Sequence, residues 1–219
     1  MAVVAGTYEV LQKIGQGGGG VVFLGKHLRL QKTVVIKMDK RNLSVGEETL
    51  RREVDILKEL NHTYIPQVYD FLEENGIVCT VMDYIEGESL DKVLERGEKH
   101  PQREVVKWAC QLLEALSYLH SRPPYGILHS DIKPANIMLR SDGSICLIDY
   151  NIALALGENG AVTVGYSMGY ASPEHYGMDY GSNQRIFTTR SKNPGVSYTT
   201  TSDGKKILLD VRSDIYSLG

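Results

Sequence analysis

The sequence predicts an α+β chain with its strands gathered first and its helices after them. Three observations predict this. Runs of β-branched and aromatic residues, each of strand length, recur from Tyr8 to Met82 with one helical pattern among them. A polar, glycine-containing link follows at Asp83–Glu88. Beyond it, apolar residues recur at helical spacing. The expected organisation is a small antiparallel sheet domain with one helix over 1–82, a hinge over 83–88, and a mainly helical part over 89–219.

In order, Tyr8–Ile14 reads as a strand, Gly15–Gly20 as a glycine loop, Val21–Lys26 as a second strand and Thr33–Met38 as a third. Glu47–Leu60 reads as a helix, because Leu50, Val54, Leu57 and Leu60 share one face. Glu53 lies on the inward side of that face, where a carboxylate must find a cation. Val68–Phe71 and Ile77–Met82 read as strands joined by the turn Glu73–Gly76. Ser89–Arg96 is a short helix and Gln102–Ser121 a long one, with Val105, Ala109, Leu112, Leu116 and Leu119 on its apolar stripe. From Ala161 to Asp210 the pattern is loop-like, and about 178–206, rich in Ser, Thr, Gly and Asn, reads as a mobile insertion.

The composition narrows the function. The 219 residues are 42% hydrophobic, enough for a real core. A net charge of −3 makes no electrostatic case for nucleic acid or a membrane surface. Cys79, Cys110 and Cys146 all sit in apolar runs and read as reduced core residues of a cytoplasmic protein. No signal peptide is apparent at the N-terminus, and no run approaches the roughly 18 apolar residues of a membrane span. An anchor beyond Gly219 stays open.

Chemistry concentrates in His129-Ser130-Asp131-Ile132-Lys133-Pro134-Ala135-Asn136. It sets a carboxylate, an ammonium and an amide at Asp131, Lys133 and Asn136. Phosphoryl transfer needs such groups, to orient the attacking hydroxyl, neutralise phosphate charge and hold a metal. A second carboxylate, Asp149, follows the apolar run Ile145–Ile148. Near the N-terminus, Gly15, Gly17, Gly20 and Val22 fit a glycine-rich pattern whose bare backbone can press onto phosphate. Its strand–loop–strand context argues against a dinucleotide fold, which needs a helix after the glycines. Taken singly, each residue also suits a plain structural role: hairpin tip, surface lysine, turn acid or helix cap.

Together these motifs resemble the signature set of protein kinases, and Lys-Pro-Ala-Asn-Ile-Met-Leu resembles most the bacterial Hanks-type serine/threonine kinases. The resemblance implies a bilobal kinase-like fold, with catalytic loop 129–136 and activation segment 149–174. It implies Lys37 on the third strand holding the α/β phosphates and paired with Glu53. ATP would be held by Ile14, Gly15, Gly17, Gly18, Gly20, Val22, Val35, Lys37, Met82, Asp83, Ile85, Met138 and Asp149. Asn136 and Asp149 would hold Mg²⁺, with Mn²⁺ also admissible. Asp131 would take the substrate proton late, and Lys133 would neutralise the γ-phosphate. Lys133 also points to serine/threonine acceptors on a protein substrate. Ser167 would stand beside Asp131 and Lys133, Asp214 would hold the backbone around His129, and Ser172-Pro173-Glu174 would close the activation segment. Leu57, Val68, His129 and Tyr150 would form an apolar column.

Departures from the pattern carry expectations too. Val35 replaces alanine and tightens the nucleotide pocket. Ser130 replaces the arginine that answers a phosphorylated activation loop, so activity should not require that modification. Asn151 replaces the glycine after Asp149-Tyr150. The resemblance also implies that the large lobe normally continues past Gly219, making this chain a piece of reduced activity. The Ser/Thr-rich stretch could accept autophosphorylation through self-association. Two other classes compete: a pseudokinase scaffold, favoured by Ser130 and Asn151, and a small-molecule phosphotransferase of kinase-like fold.

Overall fold

The computed structural model describes every residue except 1, 18–19, 40–56, 75–76, 124–125, 150–161, 164–166, 168, 174–186, 191–195 and 201–205. The chain divides into two compact units, Met1–Glu86 and Gly87–Gly219.

The first unit is a six-stranded antiparallel sheet in the order β1-β2-β3-β4-β6-β5. Its strands are β1 (Val3–Val4), β2 (Tyr8–Gly17), β3 (Gly20–His27), β4 (Thr33–Asp39), β5 (Val68–Glu74) and β6 (Ile77–Asp83). Val34, Ile36, Cys79, Val81 and Tyr8 form the core on one face, with Val10, Phe23, Met38, Tyr69 and Leu72 packed against it. Gly25 is required by that packing: a Cβ there would lie 2.6 Å from Ile36 Cδ1 and 2.9 Å from the Glu9 carbonyl. Of the expected glycine loop Gly15–Gly20, Gly15, Gln16, Gly17 and Gly20 lie in strands, because β2 runs through Gly17, which pairs with Gly20. Of the helix expected over Glu47–Leu60, only the end is described; Leu57 and Leu60 are buried there.

The second unit opens with β7 (Glu88–Ser89) and two helices, α1 (Leu90–Glu95) and α2 (Gln102–His120). β7 joins β8 (Ile137–Leu139) and β9 (Ile145–Leu147) in a three-stranded sheet. Gly87 enters it at φ +146°, where a Cβ would sit 2.2 Å from the Leu139 carbonyl, so only glycine passes. Helix α2 is fastened to the β8–β9 hairpin: Trp108 Nε1 and Lys107 Nζ each donate to Gly143 O at 3.1 Å. Gln111 Oε1 accepts the Ile145 N–H at 3.1 Å. Helix α3 (Val211–Leu218) follows a four-stranded antiparallel sheet of β10 (Val162–Thr163), β11 (Phe187–Arg190), β12 (Val196–Thr200) and β13 (Lys206–Asp210).

Three expectations need correction. The stretch from Ala161 to Asp210, including the supposed insertion at 178–206, is not simply a loop, since it carries β10–β13. Its threonines, valines and tyrosine favour strands whatever their polarity. The apolar face of α2 does not begin at Val105, which is 49% exposed; it runs through Trp108, Leu112, Ala115, Leu116 and Leu119. Burial starts where Trp108 meets the β8–β9 hairpin. Cys110, two residues on and on the outward side, is exposed, whereas Cys79 and Cys146 are buried. Among the described residues no helix is long and apolar enough to cross a membrane.

Candidate active site

The loop His129–Asn136 enters from Ile127 and Leu128, both buried, and leaves through the 3₁₀ turn Pro134–Asn136 into β8. Its shape depends on one buried carboxylate. Asp214, in the first turn of α3, accepts the His129 N–H at 2.9 Å and the Ser130 N–H at 2.7 Å. His120, the last residue of α2, brings Nε2 to 2.8 Å from the same carboxylate. Ser130 sits at φ 61°, a left-handed conformation that serine seldom adopts. The two amide bonds to Asp214 hold it there.

His129 is wholly buried. Its Nδ1 accepts the Asp131 N–H at 3.3 Å, so Nε2 carries the proton and donates to Ile148 O at 3.0 Å. Burial, the largest influence, pushes its pKa down despite the carboxylates of Asp214, Asp149 and Asp131 nearby, and the ring is neutral. Ile148 N–H in turn donates to Asn136 O at 2.8 Å. Both backbone groups of Ile148 are thus tied to the catalytic loop, which fixes the start of Asp149. Asp149 itself is exposed and holds φ 61°.

Within this frame the predicted groups converge. Asp131 Oδ2 accepts from Lys133 Nζ at 2.8 Å and from Asn136 Nδ2 at 3.1 Å. Asp131 Oδ1 accepts the Ser167 hydroxyl at 2.7 Å, and Lys133 Nζ donates to Ser167 Oγ at 2.6 Å. Asn136 Nδ2 also donates to the Asp131 carbonyl at 2.8 Å. With its amino group so engaged, Asn136 has its Oδ1 left to offer a cation. An amide oxygen and the Asp149 carboxylate suit a hard divalent ion, which commonly completes its shell with phosphate oxygens and water. Among the described residues no group of three or more His, Cys, Asp or Glu could hold a metal by itself.

In the first unit, strand register sorts the expected nucleotide residues. Val22, Lys37 and Thr80 are cross-strand neighbours, and Leu24, Val35 and Met82 form the next row. Val35 and Lys37 alternate with the core residues Val34 and Ile36, so Val22, Val35, Lys37 and Met82 share the opposite face. Gly15 pairs with Val22, and Ile14, at a register shift, is 44% exposed. Ile85 follows β6 and, like Met138 in β8, is half-buried. Glu53, Gly18, Tyr150, Asn151 and Glu174 lie outside the described residues. Sequence reasoning missed His120 and the ring contacts of His129. A histidine closing the helix before the loop was the one available signal.

The model of the protein kinase domain matches residues 8–189. A probable serine/threonine-protein kinase of Streptomyces coelicolor is 33% identical over 99% of this chain and 29% of its own length. Serine/threonine-protein kinase PrkC of Bacillus subtilis is 30% identical over 99% of this chain and 30% of its own length. Serine/threonine-protein kinase 36 of Pongo abelii is 38% identical over 76% of this chain and 13% of its own length. The chain therefore spans less than a third of the length of these relatives. With a family match across most of its residues and an aspartate, lysine and asparagine gathered on a clamped loop, the chain belongs to the protein kinase domain family.

Proposed function

We propose that this chain carries the catalytic machinery of a serine/threonine protein kinase that transfers the γ-phosphoryl group of ATP to a protein hydroxyl. The observation that carries the reading is the cluster of Asp131, Lys133, Asn136 and Ser167, tied together by hydrogen bonds of 2.6–3.1 Å. Asp131 orients the acceptor hydroxyl and takes its proton late, as that oxygen bonds the γ-phosphorus and the bond to the β-phosphate oxygen breaks, with ADP as the leaving group. Lys133, held between Asp131 and Ser167, meets charge building on the transferred phosphoryl oxygens. Lys37, on the face of the first sheet shared with Val22, Val35 and Met82, engages the α/β phosphates. A divalent ion held by Asn136 and Asp149, Mg²⁺ in preference to Mn²⁺, would neutralise the remaining triphosphate charge. Free cysteines suit a reducing, cytoplasmic compartment.

Transfer of radiolabel from γ-labelled ATP to Ser/Thr-containing proteins tests the reading. We expect Asp131→Asn to lower kcat by about 10²- to 10⁴-fold, the usual weight of a positioned acid or base, while the protein stays folded. Label appearing on aminoglycoside or choline acceptors instead would favour a small-molecule phosphotransferase. No transfer by wild type beyond that of Asp131→Asn would leave the scaffold reading standing.

A further inference from the structure

Asp83 was expected to touch the nucleotide, yet its carboxylate is committed within the first unit. Its Oδ2 accepts the Gln67 N–H at 3.0 Å, and its own N–H donates to Gln67 O at 2.9 Å. Its Oδ1 accepts the Tyr69 hydroxyl and pairs with Lys32 Nζ at 3.0 Å. Lys32 also donates to the Tyr69 hydroxyl, and its ammonium lies 4.5 Å from the ring centroid.

The fold builds this meeting on purpose-shaped backbone. Val68 pairs with Met82 but Asp70 pairs with Val81, so Tyr69 is the extra residue of a β-bulge. A bulge re-aims the side chain it carries, here toward the end of β6. Lys32 arrives from the β3–β4 turn, which is closed by His27 N–H to Lys32 O at 2.8 Å with Gln31 at φ 55°. Burial works against the charged form of Asp83, but the donors Tyr69, Gln67 and Lys32 outweigh it and hold the carboxyl below its ordinary range.

Residues 84–86 belong to no strand or helix, so no ladder fixes their peptide groups. Asp83 is the last residue of β6 before that stretch, and its position fixes where the stretch begins. We propose that Lys32, Gln67, Tyr69 and Asp83 form a latch that sets the backbone beyond β6, and through it the affinity for ATP and the preference for adenine over guanine. They are positioning residues, with Tyr69 at the centre: the ion pair to half-exposed Lys32 contributes little alone. The latch rests on the reading above that Met82, Asp83 and Ile85 are among the residues that hold ATP. Purine recognition by peptide N–H and C=O groups depends on placement within a few tenths of an ångström.

Steady-state kinetics of the full chain with ATP and with GTP test it, using Tyr69→Phe, Asp83→Ala and the double variant. Tyr69→Phe is expected to raise KM for ATP about three- to tenfold, the weight of one net hydrogen bond, and to narrow the ATP-over-GTP preference. Its kcat should stay within about twofold of wild type, which a general loss of folded protein would not spare. The double variant should be no worse than Asp83→Ala, because both act through one network. Unchanged KM and purine preference in either single variant, or additive effects in the double, would overturn the latch. Failure of wild type to use ATP overturns both the nucleotide reading and the latch. Normal wild-type transfer, abolished by Asp131→Asn but indifferent to Tyr69→Phe and Asp83→Ala, overturns the latch alone.

Discussion

Asp214 and Asp83 do the same thing in two different settings. Each carboxylate gathers donors that lie far off along the chain and so fixes a stretch of backbone. Asp214, 1% exposed, answers two buried amides of the catalytic loop. Asp83, 27% exposed, answers one amide, a phenol and a half-exposed ammonium at the end of a strand. Water can replace what Asp83 supplies but cannot reach the donors held by Asp214. The first network is therefore a condition for a folded site, and the second a means of adjusting one.

The largest effect should come from Asp214→Leu. It strands two buried N–H groups and the His120 ring, and should lower stability by about 3–5 kcal/mol, readable by urea unfolding. An Asp214→Leu protein as stable as wild type would erase the contrast with Asp83. Next in size is the acid limb. His129 is buried neutral, so its folded pKa lies below the unfolded value near 6.5. The unfolded state takes the proton first, and stability falls as pH drops below about 6.5. The thermal midpoint measured from pH 7.5 to 5.5 should fall in wild type, and fall less steeply in His129→Leu.

A smaller effect is expected at the activation segment. Ser130 brings no cation, and its hydroxyl, like that of Ser213, is buried with no hydrogen-bond partner among the described residues. A phosphate on the segment would thus find no arginine beside Asp131 to dock against. Ser167 cannot be used to test this, because it bonds directly to Asp131 and Lys133. Thr163→Ala is the cleaner variant, and its kcat should stay within about twofold of wild type; near-total loss would restore a need for phosphorylation. The smallest effect belongs to Cys110→Ser, at an exposed position of α2, with a stability change inside about 0.5 kcal/mol by thermal unfolding.

The legible and illegible parts of this molecule divide along physical lines. Strands of the first unit announced themselves as short runs of Val, Ile, Thr and Phe, and register then placed Val22, Val35, Lys37 and Met82 on one face without further information. The catalytic loop was legible because Asp131, Lys133 and Asn136 lie within six residues of each other. β10–β12 were hidden because Ser and Thr in strands look like Ser and Thr in loops when no apolar alternation marks them. The stripe on α2 was misplaced at its start because periodicity shows a face but not where a partner begins to cover it. Tyr69 and Lys32 could not be found at all: a bulge and a turn bring them to Asp83, and neither leaves a pattern in composition.

Asp214 stands 85 positions after His129. A ribosome delivers the chain from its N-terminus, so His129, Ser130 and Asp131 all emerge well before the carboxylate that shapes them. Until then the left-handed turn at Ser130 lacks its restraint, and the nascent polypeptide carries Asp131, Lys133 and Asn136 on a loop that nothing yet clamps. The order of synthesis thus makes α3 the last part of the loop's frame to arrive.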